Sequence, residues 1–84
     1  MYEVLIEKSA ERDLKKIPAA DFKRIVPHLK GLAADAGPMG SRKISGSDHD
    51  WRIRVGTYRI IYELNDKEKV VKIMRVKQRR EAYR

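Results

Sequence analysis

The sequence contains no cysteine, which excludes disulfide staples and thiolate zinc sites. It has no run approaching the roughly 18 apolar residues of a membrane-spanning helix. Met1–Ile6 leads straight into a strand-like pattern, without the basic and then apolar layout of a secretory leader. Both absences predict a cytoplasmic protein that does not engage a membrane. No Gly-rich phosphate loop, paired catalytic carboxylates or serine triad is present. The two histidines, His28 and His49, stand on separate segments, and Asp48-His49-Asp50 reads as a polar turn ahead of Trp51 rather than a metal site. No cofactor and no metal are expected. With 84 residues in all, one small domain spanning residues 1–84 is expected. A chain of this size buries only about 60–65% of its unfolded surface, so a homodimer or a tightly bound partner protein is anticipated.

What the sequence does have is positive charge, a formal net +8 from 20 Lys/Arg against 12 Asp/Glu. The excess is lopsided. Residues 1–41 carry seven Lys/Arg against six Asp/Glu, while residues 42–84 carry thirteen against six. An excess of this kind points to a polyanionic partner, most often nucleic acid, and places the anion-binding surface in the second half of the chain. A solvated basic face kept for solubility is the alternative.

Hydrophobic periodicity orders the elements. Tyr2–Glu7 alternates weakly through Val4, Leu5 and Ile6 and reads as a strand. Ser9 offers an N-cap, with Glu11 and Asp13 in the favourable first turn, and Ala10, Leu14 and Ile17 repeat at helical spacing up to about Ile17. Pro18 closes that helix and suits the first turn of the next. Phe22, Ile25, Val26, Leu29, Leu32 and Ala33 form one apolar stripe, within which Pro27 removes a backbone donor and predicts a bend. Ala36–Ser41 breaks the helix. Trp51, Ile53 and Val55 then alternate with Arg52 and Arg54, and after Gly56-Thr57 the residues Tyr58, Ile60, Tyr62 and Leu64 alternate in their turn. Asn65–Lys69 is a polar turn, Val70–Lys77 a last strand, and Gln78–Arg84 a charged ending with room for one helical turn. The expected fold is α+β in the order β-α-α-β-β-β, with an N-terminal helical hairpin on one face of a mostly antiparallel four-stranded sheet.

Strand alternation assigns faces. If Trp51, Ile53 and Val55 face the helices, Arg52 and Arg54 face the other way, and Arg59 joins them on the open side. Neighbouring strands lie about 4.8 Å apart and same-face residues about 7 Å apart, so three guanidinium groups can converge on one or two phosphates. The planar arginine fork matches phosphate oxygens bidentately. Tyr83, following Arg79-Arg80, offers a ring on which an unpaired base can stack. Trp51, Tyr58 and Tyr62 read as core.

The block from Trp51 to Tyr62, a basic-apolar-basic strand followed by Tyr-Arg-apolar-apolar-Tyr, resembles the hallmark of the RelE/ParE toxin superfamily. The ending Arg79-Arg80-Glu81-Ala82-Tyr83-Arg84 is similar to that family's C-terminal Arg-Arg-x-x-Tyr. Ser9-Ala10-x-x-x-Leu14 and Arg42-Lys43-Ile44-x-Gly46 fit the same pattern, so the resemblance covers essentially the whole chain. It implies a RelE-like microbial ribonuclease-type fold. It also implies the toxin of a type II toxin–antitoxin system, an mRNA interferase that inhibits translation by cleaving messenger RNA in the ribosomal 30S A site. In that family the RNA's own 2′-hydroxyl attacks and no metal is needed.

By the same resemblance, Arg52 and Arg54 lie near the nucleophile and phosphate. Arg59 stabilises the transition state, Arg79 protonates the leaving 5′-oxygen, and Tyr83 orients the nucleotide or assists deprotonation. Arg42, Lys43, Lys77, Arg80 and Arg84 are expected to bind messenger or ribosomal RNA. Some members have lysine where this chain has Arg52 and Arg54. An arginine with a pKa above about 12 does not give up its proton readily, which shifts the general-base role toward Tyr83. The implied partners are a cognate acidic, partly disordered RelB-like antitoxin that wraps the toxin and masks Tyr83 and the basic patch, the ribosome, and messenger RNA, with assembly into a toxin–antitoxin hetero-oligomer. The alternatives are a ParE-like inhibitor of DNA gyrase without ribonuclease activity and a plain RNA- or DNA-binding module.

Overall fold

A computed structural model describes residues 1–37, 40–44, 46 and 49–78. The elements run β1 (Glu3–Ile6), α1 (Lys8–Lys15), α2 (Ala19–Gly31), β2 (Arg42–Lys43), β3 (Asp50–Val55), β4 (Tyr58–Asn65) and β5 (Val70–Gln78). The expected α+β order is present with one addition. The sheet has five strands, not four, in the order β1-β5-β4-β3-β2. The extra strand is the pair Arg42–Lys43, which lies antiparallel to β3. Two residues are too few for alternation to register, so this strand exists only through its partner. The β1–β5 pairing is parallel and the remaining three are antiparallel. The helical turn expected within Gln78–Arg84 falls on 79–84, outside the described residues, and Gln78 itself ends β5.

One face of the sheet carries the core. Ile53, Ile60, Tyr62, Val71, Ile73 and Val76 meet Ala10 of α1 and Ile25, Leu29 and Leu32 of the α2 region, all buried. Ile25, Leu29 and Leu32 of the apolar stripe read from the sequence form the packing face, whereas Phe22, at the start of the stripe, is 40% exposed. Fully burying side chains of this size contributes roughly 1.5–3 kcal/mol each. The helix runs unbroken through Pro27. That ring lies on the exposed side, where the carbonyl left without its amide partner can be reached by solvent.

Strand β5 keeps its apolar residues inward only because of an irregularity. Tyr62 pairs with Ile73 but Ile61 with Arg75, so Met74 is an extra residue. Strict alternation from Val71 and Ile73 would send Arg75 into the core. The bulge shifts the phase and puts Val76 there instead.

Helix α1 begins differently from the sequence expectation. Its N-cap is Glu7, with no side-chain capping bond, and the helix ends at Lys15 with Lys16 as C-cap. The Ser9 hydroxyl donates to the Met74 carbonyl at 2.8 Å, and Asp13 Oδ2 accepts the Val76 amide at 2.9 Å. Pairing of β1 with β5 stops at Ile6–Ile73. From there α1 takes over the edge of β5, satisfying backbone groups that would otherwise be bare. Asp13 also accepts the Arg75 guanidinium through Nε at 2.8 Å and Nη2 at 3.2 Å. Partial burial opposes ionisation of Asp13. The bonds from Arg75 and Val76 and the charges of Arg75 and Lys77 outweigh it, holding the carboxyl below its usual range.

Candidate functional site

The face of the sheet opposite the helices gathers the arginines. In the β3–β4 register Arg54 lies directly across from Arg59, and in the β2–β3 register Arg42 lies across from Arg52. Directly opposed residues share a face, as do positions i and i+2 of one strand. Arg42, Arg52, Arg54 and Arg59 therefore project together. With Gly40 they line a cavity of about 430 Å³. The convergence of Arg52, Arg54 and Arg59 expected from alternation is present, and β2 adds Arg42 at the cavity wall. Gly40 was legible only as part of a helix-breaking stretch. Its φ of +94°, a region that favours glycine, brings backbone rather than side chain to the cavity.

The four cations are not equally solvated. Arg42 and Arg54 are exposed and Arg52 is half-buried, but Arg59 is only 6% exposed. The sequence placed Arg59 on an open, solvated face, and the fold instead encloses it. Strand β4 is interior to the sheet, so strands on both sides and the neighbouring arginines cover it. Among the described residues no buried side-chain nitrogen or oxygen lacks a hydrogen-bond partner, so Arg59 is held in place rather than stranded. A partly desolvated cluster of like charges attracts an anion more strongly than the same charges spread in water. Guanidinium forks from two strands can grip a phosphodiester from both sides.

The other proposed RNA contacts divide. Lys77 sits opposite Arg59 on β5, on the arginine face and partly buried. Lys43 lies opposite Trp51, one residue out of phase with Arg42, so alternation turns it away from the cavity. Arg79, Arg80, Tyr83 and Arg84 lie outside the described residues. Of the Asp48-His49-Asp50 segment read as a turn, Asp50 instead begins β3 and Asp48 lies outside the described residues, while the His49 and Asp50 carbonyls accept the Leu64 and Ile44 amides at 2.9 and 2.8 Å. Tyr58 and Tyr62 are core residues, as read from the sequence, and Trp51 packs against that core.

Two features outside the arginine face were not legible in the sequence. Val4, Ile6, Leu14, Phe22, Val26, Leu29 and Ala33, with Lys30, line an apolar groove of about 380 Å³ between β1 and the two helices, and Phe22 at its side is 40% exposed. The second is a contact made by Tyr62, whose hydroxyl donates to the Ala36 carbonyl at 2.8 Å. Burial pushes the Tyr62 phenol upward. Among the described residues no helix is long and apolar enough to cross a membrane.

A small α+β fold with an arginine-lined cavity on the face of its sheet opposite the helices has the chemistry to hold an anion, and the comparisons with known proteins narrow its class. The sequence profile described as ParE toxin of type II toxin-antitoxin system, parDE, matches residues 4–83. Toxin RelG of Mycobacterium tuberculosis is 32% identical over 87 residues, covering 99% of this chain and 97% of that one. The archaeal RelE–RelB complex from Pyrococcus horikoshii contains a chain of TM-score 0.82 and 32% identity, covering 93% of this chain and 94% of that one. A RelB–RelE antitoxin–toxin complex from Methanococcus jannaschii gives TM-score 0.79 at 30% identity, with 94% of each chain covered. The chain belongs to the RelE/ParE superfamily of type II toxin–antitoxin toxins.

Proposed function

We propose that this toxin is a ribosome-dependent endoribonuclease that cleaves messenger RNA in the A site by attack of the RNA's own 2′-hydroxyl. The observation that carries the proposal is the gathering of Arg42, Arg52, Arg54 and Arg59 around one cavity on a single face of the sheet. An in-line attack produces a pentacoordinate phosphorane with more negative charge than the diester. Fixed guanidinium groups therefore bind the transition state better than the ground state. Arg52 and Arg54 flank the phosphate, and Arg59, fixed by burial, supplies a preorganised charge. Arg79 delivers a proton to the leaving 5′-oxygen and Tyr83 accepts one from the 2′-hydroxyl. Lys77, Arg80 and Arg84, with Arg42 and Lys43, hold messenger and ribosomal RNA. The mechanism uses no metal or cofactor.

The partner in the resting state is a RelB-like antitoxin of acidic character. The relatives solved as RelE–RelB complexes support this, and the apolar groove along β1 and the helices offers such a chain a surface on which to bury its own apolar residues. The setting is the cytoplasm, where ribosomes are.

The test is codon-resolved cleavage of a messenger in a ribosome complex by antitoxin-free protein. Cuts within the A-site codon that require the ribosome are expected. The Arg52→Ala/Arg54→Ala variant should lose at least a hundredfold in rate, of the order of removing preorganised charge from a transition state. Tyr83→Phe should lose cleavage while ribosome binding stays within about twofold, and a fully active Tyr83→Phe protein would remove the tyrosine from the base role. The second reading, inhibition of DNA gyrase, is favoured by the ParE description of the matching family. Inhibition of gyrase-driven supercoiling, with no messenger cuts from a folded protein, would establish it.

A further inference from the structure

The arginine cavity occupies one end of the open face of the sheet. Along β4 the residues on that face are Arg59, Ile61 and Glu63, alternating with the buried Ile60 and Tyr62. Same-face residues follow one another at about 7 Å. The strand therefore presents a cation, an apolar side chain and a carboxylate in line. Arg59 lines the cavity, and Ile61 and Glu63, each a step further from it, are partly exposed.

The register fixes what flanks them. Ile61 lies between Arg52 of β3, a cavity residue, and Arg75 of β5. The Arg75 guanidinium is committed to Asp13 at 2.8 and 3.2 Å. Glu63 lies between Asp50, a second negative charge, and Lys72. Among the described residues the ion pairs are Lys15–Glu11 and Arg75–Asp13, so Lys72 does not neutralise Glu63. Neither Ile61 nor Glu63 helps to hold a phosphate. Both suit the other parts of a nucleotide, which presents phosphate, ring face and hydrogen-bonding edge in the same order. Single-stranded RNA is read by splaying its bases onto a platform and bonding their edges. An aliphatic side chain offers a ring face a dry surface. A carboxylate only accepts hydrogen bonds, so it selects bases that donate. Cytosine, adenine and guanine carry an exocyclic amino group on the Watson–Crick edge. Uracil has carbonyl oxygens there, which a carboxylate repels.

We propose that Ile61 and Glu63 form a base subsite beside the arginine cavity, in which the base of the bound nucleotide lies on Ile61 and donates an amino hydrogen to the Glu63 carboxylate, so that the site favours amino-bearing bases over uracil. This rests on the reading of the cavity as an RNA site. It divides the open face into a part that binds any phosphate and a part that reads the base.

The probes are all-2′-deoxy decamers, which lack the attacking hydroxyl, one of cytosine, one of uracil and one without bases. Cytosine and uracil have the same ring size and differ at the edge. The parent should bind the cytosine decamer about three- to tenfold more tightly than the uracil decamer, the range for one net hydrogen bond. Glu63→Gln can turn either its oxygen or its nitrogen to the base. It should bring the two decamers within about twofold of each other, the discrimination having been lost with the carboxylate, chiefly by strengthening uracil. Ile61→Thr keeps a β-branched shape that suits a strand. It should weaken both base-bearing decamers about three- to fourfold, the value of one buried methyl group. The abasic decamer and the salt slope should not change, because no phosphate contact is lost. Both side chains are partly exposed, so neither substitution opens the core, and a residue that only supports the sheet would shift all three decamers together.

Equal affinity of the parent for cytosine and uracil would overturn the inference. So would a cytosine preference that survives Glu63→Gln, or a loss with Ile61→Thr that is as large for the abasic decamer as for cytosine. If Arg52→Ala/Arg54→Ala binds all three decamers like the parent, the RNA reading of the cavity fails first, a result distinct from absence of the base preference.

Discussion

At the scale of single residues, two side chains do work that their positions in the sequence do not announce. Asp13 looked like a first-turn acid serving a helix terminus. It is instead the joint between α1 and the bulged end of β5, accepting Arg75 and the Val76 amide together. Its carboxyl is held below the usual range. A depressed acid contributes stability that is fully present above its unfolded pKa, about 3.9, and is lost as pH falls through the lower folded value. Asp13→Asn should therefore destabilise the protein by about 1–2 kcal/mol at pH 7, discounted because Arg75 is partly solvated. The deficit should shrink below pH 4 as the parent loses the same charge. Urea titrations of both proteins at pH 7 and pH 3 measure this. Arg59 is the second case. Its burial at 6% exposure makes it the least solvated cation of the cavity.

At the scale of elements, the strong patterns were readable and the weak ones were not. The stripe through Ile25 and Leu29 predicted α2 and its buried face, and both are core residues. Leu29→Ala should cost about 2–4 kcal/mol, since it removes buried methyls from a close-packed site. A thermal melt should show the loss as a drop of roughly ten degrees or more for a chain of this size. A shift of only a degree or two would mean that the helix packs more loosely than its burial indicates. The alternation of Trp51–Val55 and Tyr58–Leu64 likewise gave β3, β4 and the faces of their arginines. Strand β2 has no such pattern, and it forms because Arg42 and Lys43 lie against a finished β3. The bulge at Met74 was equally invisible. It is the sheet's answer to a sequence that places an arginine where strict alternation calls for an apolar residue. Ser9, a sound N-cap by composition, was claimed by the bare edge of β5.

For the whole molecule, the formal charge of +8 and the gathering of four arginines around one cavity matter more than any single pair. If four cavity arginines engage phosphates of single-stranded RNA, each released counterion adds about 0.7 to the log–log salt slope. A slope near −3 is expected for an uncleavable oligoribonucleotide. A slope near −1 would mean that the cavity grips a single phosphate and that the rest of the charge serves encounter rather than contact. Removal of Arg52 and Arg54 should bring the slope to about half, measured by fluorescence titration from 50 to 300 mM salt.

The sequence by itself determined the α+β class, the order of its main elements, the helical face that packs and the side of the sheet that carries Arg52, Arg54 and Arg59. These depend on periodicity, which is a local property of the backbone. The tertiary structure alone decided the fifth strand, the shift of phase in β5, the seat of Asp13, the enclosure of Arg59 and the buried bond from the Tyr62 hydroxyl to the Ala36 carbonyl. Each of these depends on which distant segment offers an unpaired backbone group or an unfilled space. That information appears only when residues far apart in the chain are packed together.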